Sequence, residues 1–331
     1  MARKIIADTG WDTISGTGRY AREIYSRIKH HYGEELRAIK LARPASPLAP
    51  LRLDNIMRGE ANAVFWSPQY MPPLCHRLPV LVTVYDLLQS RYAAAHKKLY
   101  FNHVLRKILK SADTIFTVSE FAKREISNWL RIPDPKIVVT YCGIVEDFGL
   151  TDGNRFFDFP YLLYVGNRRK HKNLARLIEA FAHAQLPAEI KLVFSGLYDG
   201  DLIRLASRFS VGNRIHFSGN IPDSILPNLY ASAIATCYIS LYEGFGLPII
   251  ESMVCGTPVV TSNMASMPEI AGNAALLVDP LRIDEIASGL SSLTFDSALR
   301  MDLINRGRER AKLFTWDSAA RLVIGAINEY R

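Results

Sequence analysis

Two glutamates on either side of a glycine- and proline-containing turn are the residues of this 331-residue chain best suited to chemistry. They stand in Glu243-Gly-Phe-Gly-Leu-Pro-Ile-Ile-Glu251, between an apolar strand-like run and a predicted helix from Leu247 to Gly256. Amides at a helix start attract phosphate or sugar oxygens, because the helix dipole and the free donors act together. A carboxylate accepts hydrogen bonds from a diol, which suits Glu243 to a reacting sugar and Glu251 to a ribose. The alternative is a turn with two solvated acids.

A basic loop follows the predicted strand at 161–165. In Gly166-Asn-Arg168-Arg169-Lys170-His171-Lys172, four cations fall within five residues, just before a predicted helix over 174–184. Cations at a helix start oppose the helix dipole. A bound anion of higher charge, such as a diphosphate, would explain them. A solvated basic loop is the alternative.

A glycine pair precedes the first predicted helix. Gly16-Thr-Gly18-Arg-Tyr-Ala21 fits the pattern G-x-G-x-x-A, which is typical of dinucleotide sites. Such a site needs an acid at the end of the second strand, where this chain has Leu41-Ala-Arg43-Pro44. The glycines therefore indicate a loop that lets a phosphate or sugar approach the helix, or a turn for close packing.

Other acids end strands or begin helices. Asp86 follows the predicted strand 79–85, where it could act on a hydroxyl or cap the next element. Asp199-Gly-Asp201 matches the D-x-D pattern of some metal-dependent transferases, but it precedes a predicted helix over 202–210. Two carboxylates are few for magnesium, so we interpret them as a helix cap and predict no metal site.

Twelve strand-like segments alternate with helical ones, which predicts an α/β fold with parallel sheets. They lie at 4–7, 36–41, 63–66, 79–85, 114–118, 136–141, 161–165, 190–194, 214–217, 235–241, 258–261 and 275–278. A linker-like stretch at 146–160 divides the chain into predicted domains 1–150 and 151–331. We expect the last helix, about 315–331, to pack back on the first domain. Ligands bind beyond the carboxyl ends of such strands, so the cleft between the two facing domains is the expected site.

Composition indicates a globular protein, with 49% hydrophobic and 22% charged residues. No stretch has the length of a transmembrane helix, and a cytoplasmic location is the default expectation. The four cysteines, Cys75, Cys142, Cys237 and Cys255, show no paired spacing. We expect free thiols without a metal cage, buried at Cys142 and Cys237.

The net charge of +8 lies entirely in the first half. Residues 1–150 carry 22 Lys/Arg against 14 Asp/Glu, whereas the remainder carries 18 of each. Segment 91–110 interleaves cations with large apolar residues, which predicts a basic amphipathic helix. Such a helix binds an anionic membrane surface or a lipid-linked acceptor, or it packs on the core and solvates its lysines.

Ten short motifs occur in a characteristic order. The second half holds Tyr164-Val-Gly-Asn-Arg-Arg-Lys-His-Lys-Asn, Ile215-His-Phe-Ser-Gly-Asn-Ile, Ser240-Leu-Tyr-Glu-Gly-Phe-Gly-Leu-Pro, Cys255-Gly-Thr-Pro-Val-Val-Thr-Ser-Asn, Pro268-Glu-Ile-Ala-Gly and Ala275-Leu-Leu-Val-Asp-Pro. The first half holds Gly16-Thr-Gly-Arg-Tyr, Thr83-Val-Tyr-Asp, Thr117-Val-Ser-Glu-Phe and Tyr141-Cys-Gly-Ile. This set resembles family 4 of the glycosyltransferases, retaining enzymes with the GT-B fold of two facing Rossmann-like domains.

The resemblance implies a role for each matching residue. Lys172 and Arg168 would hold the donor diphosphate and offset charge on the leaving nucleotide. The backbone around Ile221 would read the base, and Glu251 would bind the ribose. The transferred sugar would be held by Glu243 and its turn, which comprises Gly244, Phe245, Gly246 and Leu247. Gly16 and Gly18 would face the phosphates and sugar, and Asp86 is a catalytic candidate.

The chain departs from the family pattern at two positions. Tyr85 stands where the family often has a histidine, and Asn167 stands where an arginine usually follows the strand glycine. Arg168, one place later, is the assumed substitute for that arginine. The Pro-rich stretch 44–50 is short for the family, in the region where the acceptor would be recognised.

The resemblance implies transfer of a sugar from a nucleotide-diphosphate donor, GDP-mannose or a UDP-sugar, to a saccharide or lipid-linked hydroxyl. Retention and no metal or other cofactor are expected, in bacterial surface-polysaccharide synthesis such as that of lipopolysaccharide, peripheral on the inner membrane face. A sugar-nucleotide epimerase of the same fold is the alternative. The missing ribose acid opposes a nicotinamide oxidoreductase, and no recognised reading module indicates a nucleic-acid partner.

Overall fold

The computed structural model describes residues 3–10, 16–41, 46–60, 62–74, 77–151, 153 and 155–331. Cys75, the first residues of the Pro-rich stretch and positions 152 and 154 of the linker-like stretch lie outside these residues. The chain divides into two compact units. One comprises Met1–Gly143 and Thr315–Arg331, and the other comprises Ile144–Phe314. The roles predicted for the two domains stay predictions.

Each unit contains a parallel six-stranded sheet. The strands are β1 Lys4–Asp8, β2 Leu36–Ile39, β3 Ala63–Ser67, β4 Val80–Thr83, β5 Thr114–Thr117, β6 Ile137–Val139, β7 Tyr161–Tyr164, β8 Lys191–Phe194, β9 Ile215–Phe217, β10 Ala235–Tyr238, β11 Val259–Ser262 and β12 Leu276–Val278. The order is β2-β1-β3-β4-β5-β6 in the first unit and β12-β11-β10-β7-β8-β9 in the second. The predicted α/β class with parallel sheets is confirmed.

Helices connect the strands along the chain. They are α1 Gly16–Tyr32, α2 Ala49–Met57, α3 Leu88–Tyr92, α4 Ala95–Leu99, α5 Arg106–Ser111, α6 Glu120–Leu130, α7 Leu174–His183, α8 Gly200–Ser207, α9 Leu226–Ala231, α10 Leu247–Val254, α11 Met267–Ala271, α12 Ile283–Phe295, α13 Ser297–Ala311 and α14 Trp316–Glu329. A π-helical turn, Tyr100–Leu105, joins α4 to α5. Among the described residues, no helix is long and apolar enough to cross a membrane.

All twelve strands lie at the predicted positions, because each is a short apolar run bounded by turn residues. The predicted continuous helix over 91–110 is wrong. Ala93 and Ala94 adopt extended backbone angles that separate α3 from α4, and the π-helical turn shifts the helical register between α4 and α5. The predicted buried thiols are confirmed at Cys142 and Cys237.

The C-terminal helix α14 lies against α1 within the first unit. Tyr32 donates its hydroxyl to Asn328 Oδ1 at 2.9 Å, and Arg27 forms an ion pair of 2.5 Å with Asp317. The chain passes so close at Gly143 that a Cβ there would lie 2.1 Å from the Trp316 nitrogen. This position therefore requires glycine, and the C-terminal segment completes the core of the first unit.

Candidate active site

The second sheet changes direction between its two central strands. The chain runs from β7 outward to β8 and β9 on one side, and from β10 outward to β11 and β12 on the other. Crossover connections therefore diverge at the carboxyl ends of β7 and β10, which opens a crevice where ligands bind in sheets of this type. The basic loop follows β7 and the glutamate turn follows β10. The topology thus brings together the two most suggestive motifs of the sequence.

Lys172 and Glu243 form a buried ion pair at this point. The Lys172 ammonium donates to Glu243 Oε1 at 2.6 Å and to the Tyr238 hydroxyl at 2.8 Å. Lys172 is only 6% exposed and Glu243 only 8%. Removing one partner of a buried pair costs about 3–5 kcal/mol, because the other charge stays desolvated. The fold therefore places one cation and one carboxylate side by side in the crevice.

Hydrogen bonds to backbone carbonyls fix the basic loop beside β10. Residues Lys170–Lys172 form a single 3-10 turn, and Asn173 takes a left-handed conformation with φ 61° at the start of α7. The side-chain amide Nδ2 of Asn173 donates to the carbonyls of Ile239 at 3.2 Å and Pro280 at 2.7 Å. The Leu241 amide donates to the His171 carbonyl at 2.7 Å. These bonds orient the Lys172 side chain towards Glu243.

His171 is buried beside the ion pair. Burial lowers the pKa of its imidazole below the ordinary value. The Glu243 carboxylate opposes this shift, whereas Lys172 and Arg169 reinforce it. The pKa is therefore lowered on balance, which keeps the ring neutral over a wider range of pH.

The glutamate turn ends in the first turn of α10. Gly246 precedes the helix with φ 109°, a conformation that residues with a Cβ rarely adopt. The Ser266 hydroxyl lies within donating distance of the carbonyls of Glu243 at 3.0 Å and Phe245 at 2.8 Å. Gly244, Phe245 and Leu247, which are predicted to bind the sugar donor, therefore lie on a turn at the start of a helix. The Ser266 hydroxyl fixes this turn.

Glu251 lies on α10 and is 4% exposed. Its Oε2 accepts a hydrogen bond of 2.7 Å from the Tyr230 hydroxyl of α9. Burial, followed by the Glu251 charge, raises the pKa of Tyr230 well above its ordinary range. The tyrosine therefore remains a hydrogen-bond donor and orients the carboxylate. Its predicted role towards a ribose stays a prediction.

Arg168 lies beside the loop that follows β8. Its guanidinium donates to Asp199 Oδ2 at 3.1 Å and to the carbonyls of Leu197 at 2.6 Å and Ser195 at 3.3 Å. The other oxygen of Asp199 accepts the amides of Asp201 and Leu202 and caps α8. The cap prediction for Asp199-Gly-Asp201 is confirmed. No group of three potential metal-ligating acids, histidines or cysteines occurs in the part of the chain that the structure describes.

The predicted base-reading residue Ile221 lies near the same loop. An isolated antiparallel bridge pairs Gly196, after β8, with Gly219, after β9. Ile221 follows this bridge and is half-buried against the core cluster that includes Tyr161, Val193 and Tyr230. The loops after β8 and β9 therefore form one connected surface at the carboxyl edge of the sheet.

The remaining predicted residues lie in the first unit. Gly16 and Gly18 begin α1, and the Tyr85 hydroxyl lies 2.6 Å from the Pro68 carbonyl and 3.2 Å from the Thr17 carbonyl. Tyr85 thus anchors the first turn of α1, where the structure places both glycines. Asp86 Oδ1 accepts the Leu88 amide at 2.8 Å in a local turn before α3. Its catalytic role stays a prediction.

Sequence reasoning missed several polar residues at the switch points of the two sheets. Tyr238 and Tyr230 lie within apolar segments, so their hydroxyls gave no periodic signal. Asp8 ends β1 and is fully buried, with Oδ1 accepting the Gly10 amide at 2.9 Å. It lies at the switch point of the first sheet, between β2 and β3. An acid at the end of a predicted first strand was the available signal.

Comparisons with known proteins agree with this arrangement. The model described as Glycosyltransferase Family 4 matches residues 13–148, and the model described as Glycosyl transferases group 1 matches residues 152–310. O-antigen chain mannosyltransferase B of Escherichia coli is 31% identical over 297 residues, which are 84% of this chain and 77% of that protein. O-antigen chain mannosyltransferase RfbU of Salmonella typhimurium is 26% identical over 254 residues, which are 75% and 70% of the two proteins.

The fold has solved counterparts. Anabaena HepE in complex with UDP-glucose aligns with a TM-score of 0.76 at 14% identity, over 99% of this chain and 100% of that one. The architecture is therefore that of the GT-B glycosyltransferases. The sequence identity to the Escherichia coli relative, together with the two family models, shows that the chain belongs to glycosyltransferase family 4. It is a retaining glycosyltransferase that uses a nucleotide-sugar donor and a glycan acceptor.

Proposed function

We propose that this chain transfers a mannosyl residue from GDP-mannose to a hydroxyl of a growing bacterial surface polysaccharide. The names of the two relatives, both O-antigen chain mannosyltransferases, support the sugar and the process. The buried Lys172–Glu243 pair at the switch point is the observation that carries the donor site. It combines a cation for a diphosphate with a carboxylate for sugar hydroxyls.

Each residue of the crevice has a proposed role. Lys172 offsets the charge that develops on the departing diphosphate, and loss of one such donor typically costs about 10²–10³ in rate. Glu243 accepts hydrogen bonds from the transferred sugar, aided by first-turn amides of α10. Glu251, held by Tyr230, accepts the ribose hydroxyls. The backbone at Ile221 contacts the base.

The chemical step is a substitution at the anomeric carbon with retention. The bond from this carbon to the phosphate oxygen breaks, and the bond to the acceptor oxygen forms on the same face of the sugar. The departing phosphate takes the acceptor proton, so atoms and charge balance. No metal is required by this route.

The basic surface of the first unit is the proposed contact with an anionic membrane. We define it as the exposed residues Lys97, Leu99, His103, Val104 and Lys107, with Leu99 63% and Val104 45% exposed. Exposed apolar side chains beside cations are typical of interfacial binding. A lipid-linked acceptor at the cytoplasmic face would then be presented to the first unit.

The donor is tested by thermal shifts against GDP-, UDP-, dTDP- and ADP-sugars, with transfer to acceptor glycans measured in parallel. Binding to the native state raises the melting temperature by mass action. We expect a shift with GDP-mannose that Lys172→Ala and Glu251→Ala both abolish. A shift with another nucleotide series would show that the donor carries that nucleotide instead of GDP. Conversion of the donor without an acceptor would favour an epimerase. No shift and no transfer with any series would contradict the donor site.

A further inference from the structure

The guanidinium of Arg168 is occupied by one loop of the protein. Nη1 reaches Asp199 Oδ2 at 3.1 Å, and Nη2 reaches the Leu197 carbonyl at 2.6 Å and the Ser195 carbonyl at 3.3 Å. All three oxygens belong to residues 195–199, which connect β8 to α8. The guanidinium carbon also lies 4.9 Å from the centre of the Phe217 ring at the end of β9. The planar fork of arginine suits such a set of acceptors.

The loop is tied to its neighbours at Ser195 and Gly196, whereas the side chains at its tip are exposed. Gly196 has φ 92°, and the side chains of Leu197 and Tyr198 are 62% and 72% exposed. The Tyr198 ring meets the Phe217 ring edge-on at 5.4 Å. The bridge between Gly196 and Gly219 ties the same loop to the segment that contains Ile221. Arg168 thus braces both loops that border the proposed nucleoside position.

Charge also argues against a direct contact between Arg168 and the diphosphate. Turning the guanidinium away would leave the Asp199 carboxylate without its cation, near a ligand of the same sign. Burial raises the pKa of Asp199, but the Leu202 and Asp201 amides and Arg168 lower it more, so the carboxylate stays ionised. Arg169 is exposed on the same basic loop. Lys172 also has a carboxylate partner, Glu243, but the hydroxyls of the transferred sugar would offer that carboxylate new hydrogen-bond donors.

We infer that Arg168 is a positioning residue for the nucleoside: it fixes residues 195–199 as a wall of the base subsite, while Lys172 and Arg169 bind the diphosphate. This inference rests on the proposed nucleotide-sugar site. It assigns specificity for the base, through Tyr198 and the braced loops, to an arginine that touches no part of the donor.

The test compares two probes, the nucleoside diphosphate that the wild-type protein binds and inorganic pyrophosphate. Dissociation constants are measured for wild type, Arg168→Ala, Asp199→Asn, Arg169→Ala and Lys172→Ala. We expect Arg168→Ala and Asp199→Asn to weaken the nucleotide alike, by about tenfold, and to leave pyrophosphate unchanged. Arg169→Ala and Lys172→Ala should weaken both probes.

Base selectivity gives a readout that general loss of structure would not produce. The ratio of guanine to uracil nucleotide affinities should fall towards one in Arg168→Ala and Arg168→Lys, because lysine lacks the fork that spans three oxygens. Pyrophosphate binding serves as the folding control in the Arg168 and Asp199 variants, and the melting temperature does so in the Arg169 and Lys172 variants. The inference would be overturned if Arg168→Ala weakened pyrophosphate binding while Asp199→Asn bound the nucleotide as tightly as wild type. That result would leave the proposed function intact. A wild-type protein that binds no nucleoside diphosphate would overturn the proposed function together with the inference.

Discussion

The Lys172 ammonium lies 2.6 Å from the Glu243 carboxylate, although 71 residues separate the two in the chain. One follows β7 and the other follows β10, and only the pairing of these strands brings them together. The pair has no net charge, although each of its two side chains is charged. A donor with a negative diphosphate and a hydroxylated sugar offers each part a new partner.

The first prediction concerns the energy of this pair. Lys172→Met or Glu243→Gln should each reduce the free energy of unfolding by about 3–5 kcal/mol, because one buried charge loses its partner. The double variant should lose much less than the sum, as measured by urea unfolding. The exposed Lys312–Glu309 pair is the control, with a coupling of about 0–1 kcal/mol. Additive losses at Lys172 and Glu243 would contradict the structural pairing.

Tyr230→Phe should weaken donor binding through Glu251. The variant leaves the carboxylate buried without its 2.7 Å hydrogen bond, at a cost of about 1–3 kcal/mol. Tyr161→Phe is the matched control, since its hydroxyl also donates at 2.7 Å, but to the Leu229 carbonyl. We expect the KM for the donor to rise only in Tyr230→Phe. An equal rise in both variants would mean that the effect is general.

His171 should make stability fall in acid. Its folded pKa lies below the ordinary 6.5, chiefly through burial, so the unfolded state binds the proton first as pH falls. The stability that neutral His171 contributes is therefore fully present above about pH 6.5 and is lost progressively below it. Unfolding of wild type and His171→Gln between pH 7 and pH 5 should show a shallower slope in the variant. Identical slopes would remove His171 as the cause.

Gly246→Ala should destabilise the glutamate turn. The left-handed backbone at φ 109° is strained for any residue with a Cβ, by about 1–3 kcal/mol. Gly59→Ala is the control, because a Cβ there meets nothing within 4 Å. Melting temperatures should fall only in Gly246→Ala, together with the transfer rate. A neutral Gly246→Ala would show that the turn adapts.

Charge reversal on the basic surface should reduce binding to anionic vesicles. Lys97→Glu with Lys107→Glu should lose association with vesicles rich in anionic lipid, each lysine contributing about 1 kcal/mol. Lys29→Glu with Lys40→Glu changes the net charge equally at exposed positions outside segment 91–110. Co-sedimentation at rising salt separates the two variants. Equal losses in both would indicate attraction by net charge rather than by this surface.

Much of the architecture is encoded in local sequence. The strands are short apolar runs between turn residues, and the glycines and aspartates at their ends mark where loops and helices begin. The motifs therefore indicate the family, the order of the elements and the candidate residues Lys172, Glu243 and Glu251. The split of segment 91–110 escaped this reasoning, because alanine is a good helix former and nothing in its type indicates the extended angles at Ala93 and Ala94.

Partners of the site residues were decided only by tertiary structure. Three hydrogen-bonded pairs join residues from distant parts of the chain: Lys172 with Tyr238, Glu251 with Tyr230, and Arg168 with Asp199. Hydrogen bonds and ion pairs act over about 3 Å, whereas sequence motifs specify only residue types and spacings along one strand-to-helix turn. The sheet order β10-β7-β8 supplies the missing dimension, because it sets which turns are neighbours and therefore which charges meet.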